Sequence, residues 1–431
     1  MKKLCWLIVS GALAAALYAQ APAAAAAGSA AGKAEIDEIV QELSGITGLK
    51  TLEHVDYDHI PRERVKAFLA ERVKESVKPE EIRAEEASLK KLGFVPQDFD
   101  LEKTTLDLLS EQAAAFYDYR KRKLFLIDAG PDLVQHSALV HELAHALADQ
   151  HFHLEKFMEH GSKNDDSALA RLAVMEGQAT WIMSEYLTRK TGQSLKDAPV
   201  LVKLMSSVAE SSTGQFPVFD KSPLYLRETL IFPYTQGMLF QHAVVEKMDK
   251  AAFTEVFHRP PATTQQILHP EKYFANVKAV RPALPELVHE RDYRNFTDGE
   301  LGELDHSVLL RQYAGQEEAA ALAPEWKGGF FRLLEAKHGD NKNGGGAAPK
   351  RTVLAYASEW SSPEKAEKFF QDYRKVLAGK WKHYEEADAG PASVSGRGDD
   401  GYFLLRLSGT RVTSLEGMDS PAAARQAGGW L

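Results

Sequence analysis

HELAHALADQHF, residues 141–152, is the stretch around which the rest of the chain is organised. It contains the pattern H-E-x-x-H, formed by His141, Glu142 and His145. On a helix, residues four apart lie on one face, so both imidazoles project to the same side. Two neutral imidazoles placed in this way can bind Zn²⁺, and Glu142 between them can reach a water molecule that the ion holds. The stretch therefore predicts a zinc site.

The residues before this motif favour a β-hairpin followed by a helix. Apolar side chains recur at helical intervals over residues 133–147, and a Gly-Pro pair at residues 130–131 provides a cap and a first-turn proline. Upstream, residues 113–119 and 123–127 are rich in strand-forming side chains and flank a basic turn. We expect an edge hairpin ahead of the metal helix, where a strand could pair with an extended peptide.

Length and composition indicate an acidic globular protein. A chain of 431 residues is long enough for about two or three domains. Its hydrophobic fraction, 44%, is sufficient for an extensive core. The formal net charge is −9 and no long basic run is present, which argues against a nucleic-acid partner.

The N-terminus has the pattern of a secretory signal peptide. Lys2 and Lys3 precede a short apolar run over residues 4–17, and small residues as far as Ala27 offer cleavage sites. The run is short for a membrane span, and no later segment is apolar enough for one. We therefore expect residues 1–27 to be a cleaved signal and small-residue tract, and the mature protein to be secreted or periplasmic without a transmembrane segment.

Cleavage at this point would also restrict the metal chemistry. Cys5 is the single cysteine, and it would leave with the signal. The mature chain could then form no disulfide and offer no thiolate, so its zinc ligands must be His, Asp or Glu. The loss of Lys2 and Lys3 would bring the formal charge to −11.

Glu176 is one candidate for the third ligand. A helix is predicted over residues 167–190, and Glu176 lies on its apolar side, one turn from Leu172 and Ala179. An unpaired carboxylate there would be costly to bury, and a metal ion would explain it. Gly177 beside it would allow another backbone to pack close.

His151 is the alternative. In metzincins the motif continues H-x-x-G-x-x-H, and His151 stands at that interval from His145. The glycine that turns the chain out of the helix is replaced by Ala148, and alanine is penalised in the required conformation. We expect the helix to run on through residues 149–150, with His151 near its C-terminus.

Two resemblances favour Glu176. HELAHALAD is similar to the HELTHAVTD helix of the thermolysin family. HELAHALADQHF, followed by a helix with E-G-Q-A, resembles a group of secreted bacterial gluzincin-like proteins. That group also has PYTQG and LHPEKY-like stretches, here at residues 233–237 and 268–273, so the resemblance covers roughly residues 90–335. In gluzincins the third ligand is a glutamate from a later helix, which implies Glu176, 31 residues after His145.

The resemblance also implies roles for other side chains. The thermolysin Glu-x-x-x-Asp pair becomes Glu176 and Thr180 here, so another carboxylate must orient a ligand histidine, and Asp149 is a candidate. A donor to the developing oxyanion is also needed. Tyr234, in a stretch predicted to open a helix, and His269 are the candidates that the resemblance implies.

The predicted fold class is α+β. Residues 34–92 have the pattern of charged amphipathic helices, with a removable pro-segment as an alternative. Residues 93–318 would form a mostly helical, zincin-like catalytic domain with a short hairpin or sheet before the H-E-x-x-H helix. Residues 319–431 would form a small α+β module. Its predicted elements are a helix over residues 363–377 and strands over residues 330–334, 353–360, 402–407 and 411–415.

Together these features predict a secreted zinc metallopeptidase that acts on a peptide or protein substrate. His141, His145 and Glu176 would bind Zn²⁺, and Glu142 would serve as general base. Two alternatives remain open at this point. The chain could be a catalytically inactive zincin-fold binding or scaffold protein. It could also be a zinc hydrolase of a non-peptide amide, for example in cell-wall material.

Overall fold

The computed structural model describes residues 32–112, 115–128, 132–161, 164–211, 216–287, 290–337 and 350–420. These residues form a mixed fold of helices and strands, as predicted, with the larger share in helices. The predicted signal segment and the Gly-Pro pair at residues 130–131 lie outside the described residues. Within them, no helix combines the length and the apolar composition needed to cross a bilayer.

The helices and strands have the following bounds. The helices are α1 (Lys33–Thr47), α2 (Val65–Ser76), α3 (Pro79–Leu92), α4 (Leu101–Gln112), α5 (Asp132–Phe152), α6 (Leu154–Gly161), α7 (Asp165–Arg189), α8 (Pro199–Ser211), α9 (Pro217–Lys221), α10 (Leu224–Met248), α11 (Ala252–His258), α12 (Thr264–Leu268), α13 (Pro270–Phe274), α14 (Glu303–Tyr313), α15 (Gln316–Leu322) and α16 (Pro363–Lys380). The strands are β1 (Asp56–Pro61), β2 (Ala115–Asp118), β3 (Lys123–Asp128), β4 (Tyr293–Glu300), β5 (Trp326–Ala336), β6 (Thr352–Trp360), β7 (Glu385–Ala389), β8 (Ser393–Gly398), β9 (Gly401–Ser408) and β10 (Arg411–Met418).

The chain divides into two compact units. Unit 1 comprises the described residues of Met1–Ile82, Asp100–Ser222 and Leu226–Val277. Unit 2 comprises those of Arg83–Phe99, Pro223–Tyr225 and Lys278–Leu431. These limits differ from the predicted domain boundaries, because β4 and α14 belong to unit 2 rather than to the segment predicted as catalytic.

Unit 1 is built around α5 and α7, which pack against each other and against α1. The apolar stripe of α1, predicted from its sequence, is buried through Ile36, Val40 and Leu43. A three-stranded sheet with the order β1-β3-β2 packs beside α5, and β2 runs antiparallel to β3 at one edge. The predicted hairpin and the H-E-x-x-H helix that follows it are therefore both present.

Strand β1 corrects the prediction that residues 34–92 are helical throughout. Its sequence, DYDHIP, is exposed at three of its six residues and lacks an alternation of apolar residues. The strand forms because its backbone pairs in parallel with β3, from Asp56 opposite Lys123 to Pro61 opposite Asp128. A pairing between segments so distant in sequence leaves no local pattern.

Helix α10 corrects a second prediction, that the PYTQG stretch opens a helix. α10 begins at Leu224, so Pro233 lies in its interior. Proline favours the first turn of a helix, which is why the sequence suggests a helix start there. The preceding residues, 224–232, are themselves helical, and the tertiary packing of α10 outweighs the cost of an interior proline.

Unit 2 contains a seven-stranded antiparallel sheet with the order β4-β5-β6-β10-β9-β8-β7. Helix α16 packs on β6, β9 and β10 through its buried side, which includes Phe369, Phe370 and Tyr373. β5, β6, β9, β10 and α16 lie where the sequence predicts them. β4, β7 and β8 were not predicted, because β4 and β7 are polar edge strands and β8 contains two glycines.

A buried ion pair links α16 to β10 within unit 2. Lys380 Nζ donates to Glu416 Oε2 at 2.5 Å, and both side chains are at most 2% exposed. Tyr373 Oη and Ser414 Oγ donate to the other carboxylate oxygen at 2.8 and 2.9 Å. These hydrogen bonds offset the cost of removing the two charges from water.

Substituting Lys380→Met is expected to lower the free energy of unfolding by about 3 kcal/mol, because the Glu416 charge would stay buried without this partner. The matched control is Lys368→Met on the same helix, which removes a more exposed pair with Glu318 and should cost less than about 1 kcal/mol. Urea unfolding of the two variants measures the difference. Equal losses would show that the buried pair contributes no more than the exposed one.

Candidate metal centre

Two imidazoles of α5 face each other near the middle of the helix. His141 and His145 are one turn apart, and their Nε2 atoms are 3.1 Å from each other. Neither ring is more than 1% exposed. Helical spacing alone places both rings on one face, and the packing of α7 against that face buries them.

Glu176 of α7 completes the cluster. Its Oε2 atom lies 3.1 Å from His141 Nε2 and 3.2 Å from His145 Nε2. The side chain is fully buried. In the part of the chain that the structure describes, these are the three residues whose possible ligand atoms lie within 4.8 Å of one another. Glu176 thus lies in a fully buried part of its helix and beside both imidazoles.

The spacing of these atoms fits a zinc ion. Tetrahedral zinc, with bonds of about 2.0–2.2 Å to nitrogen and oxygen, needs ligand atoms about 3.3–3.6 Å apart. The three observed distances are within a few tenths of an ångström of this range. Glu176 Oε1 is buried and finds no hydrogen-bond partner among the described residues. Two imidazoles and one carboxylate are also a ligand set that catalytic zinc uses.

The electrostatics of the cluster favour the metal-binding forms of His141 and Glu176 and, without an ion, the protonated form of His145. Burial lowers the pKa of His141 to about 4, which keeps that ring neutral. Burial would also lower the pKa of His145, but the Glu176, Glu142 and Asp149 carboxylates together outweigh it and raise that pKa. Burial disfavours the Glu176 carboxylate, yet His145 and His141 hold its pKa below the usual value. A neutral His141 and an ionised Glu176 result.

Glu142 is held by the edge strand. The backbone N–H of Tyr117 on β2 donates to Glu142 Oε2 at 2.6 Å. Over the described residues, the buried Oε1 atom has no partner. Burial raises the pKa of Glu142 to about 8. One oxygen is therefore fixed and the other is left to interact with a water molecule or a substrate.

A close contact between two glycines sets the position of α10 against α7. A Cβ atom on Gly177 would lie 2.1 Å from the carbonyl carbon of Gly237, and one on Gly237 would lie 2.3 Å from the oxygen of Ala173. Neither position has room for a side chain. This agrees with the prediction that Gly177 allows another backbone to pack close.

The glycine contact brings Tyr234 into the centre. Tyr234 precedes Gly237 by one turn, is buried, and has its ring centroid 6.0 Å from that of His141. Burial raises the pKa of Tyr234 well above its usual value, and the Glu176 and Glu142 carboxylates raise it further. Its hydroxyl remains a neutral donor beside the possible ligands.

His269 follows α12, is partly exposed, and has Nδ1 3.6 Å from Glu271 Oε1. Among the described residues it is not part of the group with clustered ligand atoms. The ring contact with His141 places Tyr234 beside the cluster, and the role predicted for His269 stays a prediction.

His151, the alternative zinc ligand, and Asp149, the carboxylate predicted to orient a ligand histidine, have other partners. Helix α5 continues past Ala148 as predicted, and His151 Nε2 lies 2.7 Å from the carbonyl oxygen of Lys50. Asp149 accepts hydrogen bonds from Tyr117 Oη at 3.1 Å and from the Leu154 N–H at 2.8 Å. Asp149 thus supports β2 and the end of α5.

Tyr119 is a site residue that the sequence reasoning missed. Its ring centroid lies 6.2 Å from that of His145, with the planes at 87°, and 5.6 Å from that of Tyr117. Burial raises the pKa of Tyr119 well above its usual value, and Glu176 and Glu142 add to the effect. The signal in the sequence is the Y-x-Y spacing at the end of β2, because residues two apart on a strand share a face.

Comparisons with known proteins bear on unit 2 alone. A domain of unknown function, DUF8575, matches residues 290–427. The match includes the seven-stranded sheet and α16 but none of the residues of the metal centre. Neither the curated proteins nor the solved structures give a match to the chain.

Proposed function

We propose that this protein is a secreted zinc-dependent metallopeptidase. The observation that carries the proposal is the buried cluster of His141, His145 and Glu176, whose atom spacings suit a tetrahedral ion. A second carboxylate, that of Glu142, lies beside this cluster on α5, the helix of the two histidines. Glu142 has no part in holding a metal, so a purely structural zinc site gives no reason for it. The N-terminal pattern of residues 1–27 supports export.

In this proposal each side chain has a distinct role. His141, His145 and Glu176 would hold the zinc ion, which when bound polarises a scissile carbonyl and makes a water molecule more acidic. The charge of a bound ion would favour the ionised form of Glu142. In that form Glu142 would take a proton from the attacking water through Oε1 and pass it to the leaving amine. Tyr117 holds Glu142 through its backbone N–H, and Tyr234 faces the centre from α10.

Metal analysis of single variants tests the ligand assignment. The wild-type chain is expected to bind one zinc ion. His145→Ala and Glu176→Ala should each weaken zinc binding by more than about 100-fold, which is more than the loss of a residue that only hydrogen-bonds to a ligand would cause. His151→Ala is the control, since His151 contacts Lys50 and should leave zinc binding unchanged. Loss of zinc in His151→Ala but not in Glu176→Ala would overturn the assignment.

Hydrolysis assays test the activity itself. The mature protein is incubated with casein and a library of fluorogenic peptides, with and without a chelator, and zinc is then restored. Chelator-sensitive cleavage that zinc restores is the expected result. A zinc-loaded protein that cleaves no peptide bond but releases fragments from peptidoglycan would favour the non-peptide amide hydrolase. A zinc-loaded protein inactive on both would favour the binding protein.

A further inference from the structure

Three phenols stand around the metal centre, and their hydroxyls differ in what they contact. Tyr117 Oη donates to Asp149, which fixes it as part of the support for β2. Tyr234 Oη interacts with the Glu176 carboxylate. Tyr119 Oη is buried but has no hydrogen-bond partner in the part of the chain that the structure covers.

A buried hydroxyl without a partner is costly. Folding removes it from water without returning a hydrogen bond, and native proteins seldom keep such a group without a reason. A ligand that arrives at the site with a negatively charged oxygen would satisfy it. The Tyr119 ring is well placed for this role, because its edge contact with His145 puts it beside the middle of α5, where the two imidazoles lie.

The support of Tyr119 is also rigid. It directly follows β2, which pairs with β3 on one side and donates to Glu142 on the other. A donor on such a support needs little reorganisation when charge develops on a substrate. A phenol, with an ordinary pKa of about 10, keeps its proton at neutral pH.

We propose that Tyr119 is a further catalytic residue, which donates a hydrogen bond to the oxyanion formed when water adds to the scissile carbonyl. This inference rests on the proposed hydrolase function. Tyr234, whose hydroxyl interacts with Glu176, then positions that carboxylate. His269 has no part in this step. The phenol keeps its proton throughout.

The test compares Tyr119→Phe with Tyr234→Phe and with Tyr57→Phe, a control on β1 of the same sheet. The probe is an N-phosphoryl dipeptide, whose tetrahedral phosphoryl oxygens resemble the oxyanion, and its binding to the zinc-loaded protein is measured by calorimetry. Y119F should weaken this binding by about 10- to 100-fold, the effect of losing one hydrogen bond to a charged acceptor. Zinc content should not change, and kcat on a peptide should fall while KM stays within about twofold. Y57F should match the wild type.

The outcomes separate the inference from the proposed function. A wild-type protein that binds the probe and cleaves peptides, with Y119F equal to it in both assays, overturns the role of Tyr119 and leaves the hydrolase proposal standing. A large loss in Y234F with none in Y119F moves the role to Tyr234. A zinc-loaded wild type that neither binds the probe nor cleaves an amide overturns the proposed function and this inference with it.

Discussion

Replacing Glu142 by glutamine is expected to lower kcat by about 10²–10⁴-fold while zinc stays bound. Glutamine has the shape of glutamate, and its side-chain oxygen can still accept the Tyr117 N–H bond. It cannot take a proton from water at neutral pH. The measurement is kcat on a fluorogenic peptide that the wild type cleaves, together with the zinc content of each variant.

A second buried glutamate provides a matched control for this variant. Glu185 of α7 is also buried, but it accepts hydrogen bonds from Ser194 and from the Leu195 N–H. Glu185→Gln should leave kcat within a few-fold of the wild type, because Glu185 supports a turn and does not belong to the cluster. An E142Q enzyme with full activity and full zinc would remove Glu142 from the mechanism.

Gly177→Ala is expected to have the second large effect, a loss of about 3 kcal/mol or more in the free energy of unfolding. The added methyl group would lie 2.1 Å from the backbone of Gly237, and neither helix can yield by turning a side chain away. Because Glu176 is the neighbouring residue, the forced separation of α7 and α10 should also weaken zinc binding. Denaturant unfolding and metal titration measure the two effects.

Gly45→Ala is the control for this substitution. Gly45 lies in α1, and a Cβ atom there would meet nothing within 4 Å. Alanine is favoured over glycine inside a helix, so this variant should gain about 0.5–1 kcal/mol. If Gly177→Ala matched Gly45→Ala in stability and in zinc affinity, the close contact of the two helices would not be what positions Glu176.

The placement of the candidate metal ligands follows in part from local patterns. One helical turn separates His141 from His145, so helical geometry puts both on one face of α5. Every residue of α7 from Leu172 to Tyr186 is buried, so periodicity does not by itself select the face that carries Glu176. These patterns do not predict how closely α7 approaches the helix that packs against it. Gly177 indicated that another backbone comes close, and the structure identifies that backbone as Gly237.

The missed features depend on contacts between distant segments. β1 has no apolar alternation, and only its pairing with β3 makes it a strand. Tyr119 gains its environment because β2 packs against α5, and the Y-x-Y spacing at the end of β2 does not show which helix these side chains face. The role that the resemblance implies for His269 stays a prediction, because a motif records which residues are shared and not where a loop places them.

The parallel pairing of β1 with β3 also determines the order in which unit 1 can assemble during synthesis. Asp56 leaves the ribosome long before its partner Lys123, so β1 has no edge to join until β3 has been made. Closing so long a connection is entropically costly and slow compared with winding a helix. The residues around His141 are translated soon after β3. The three-stranded sheet and α5, which packs on it, therefore become available almost together.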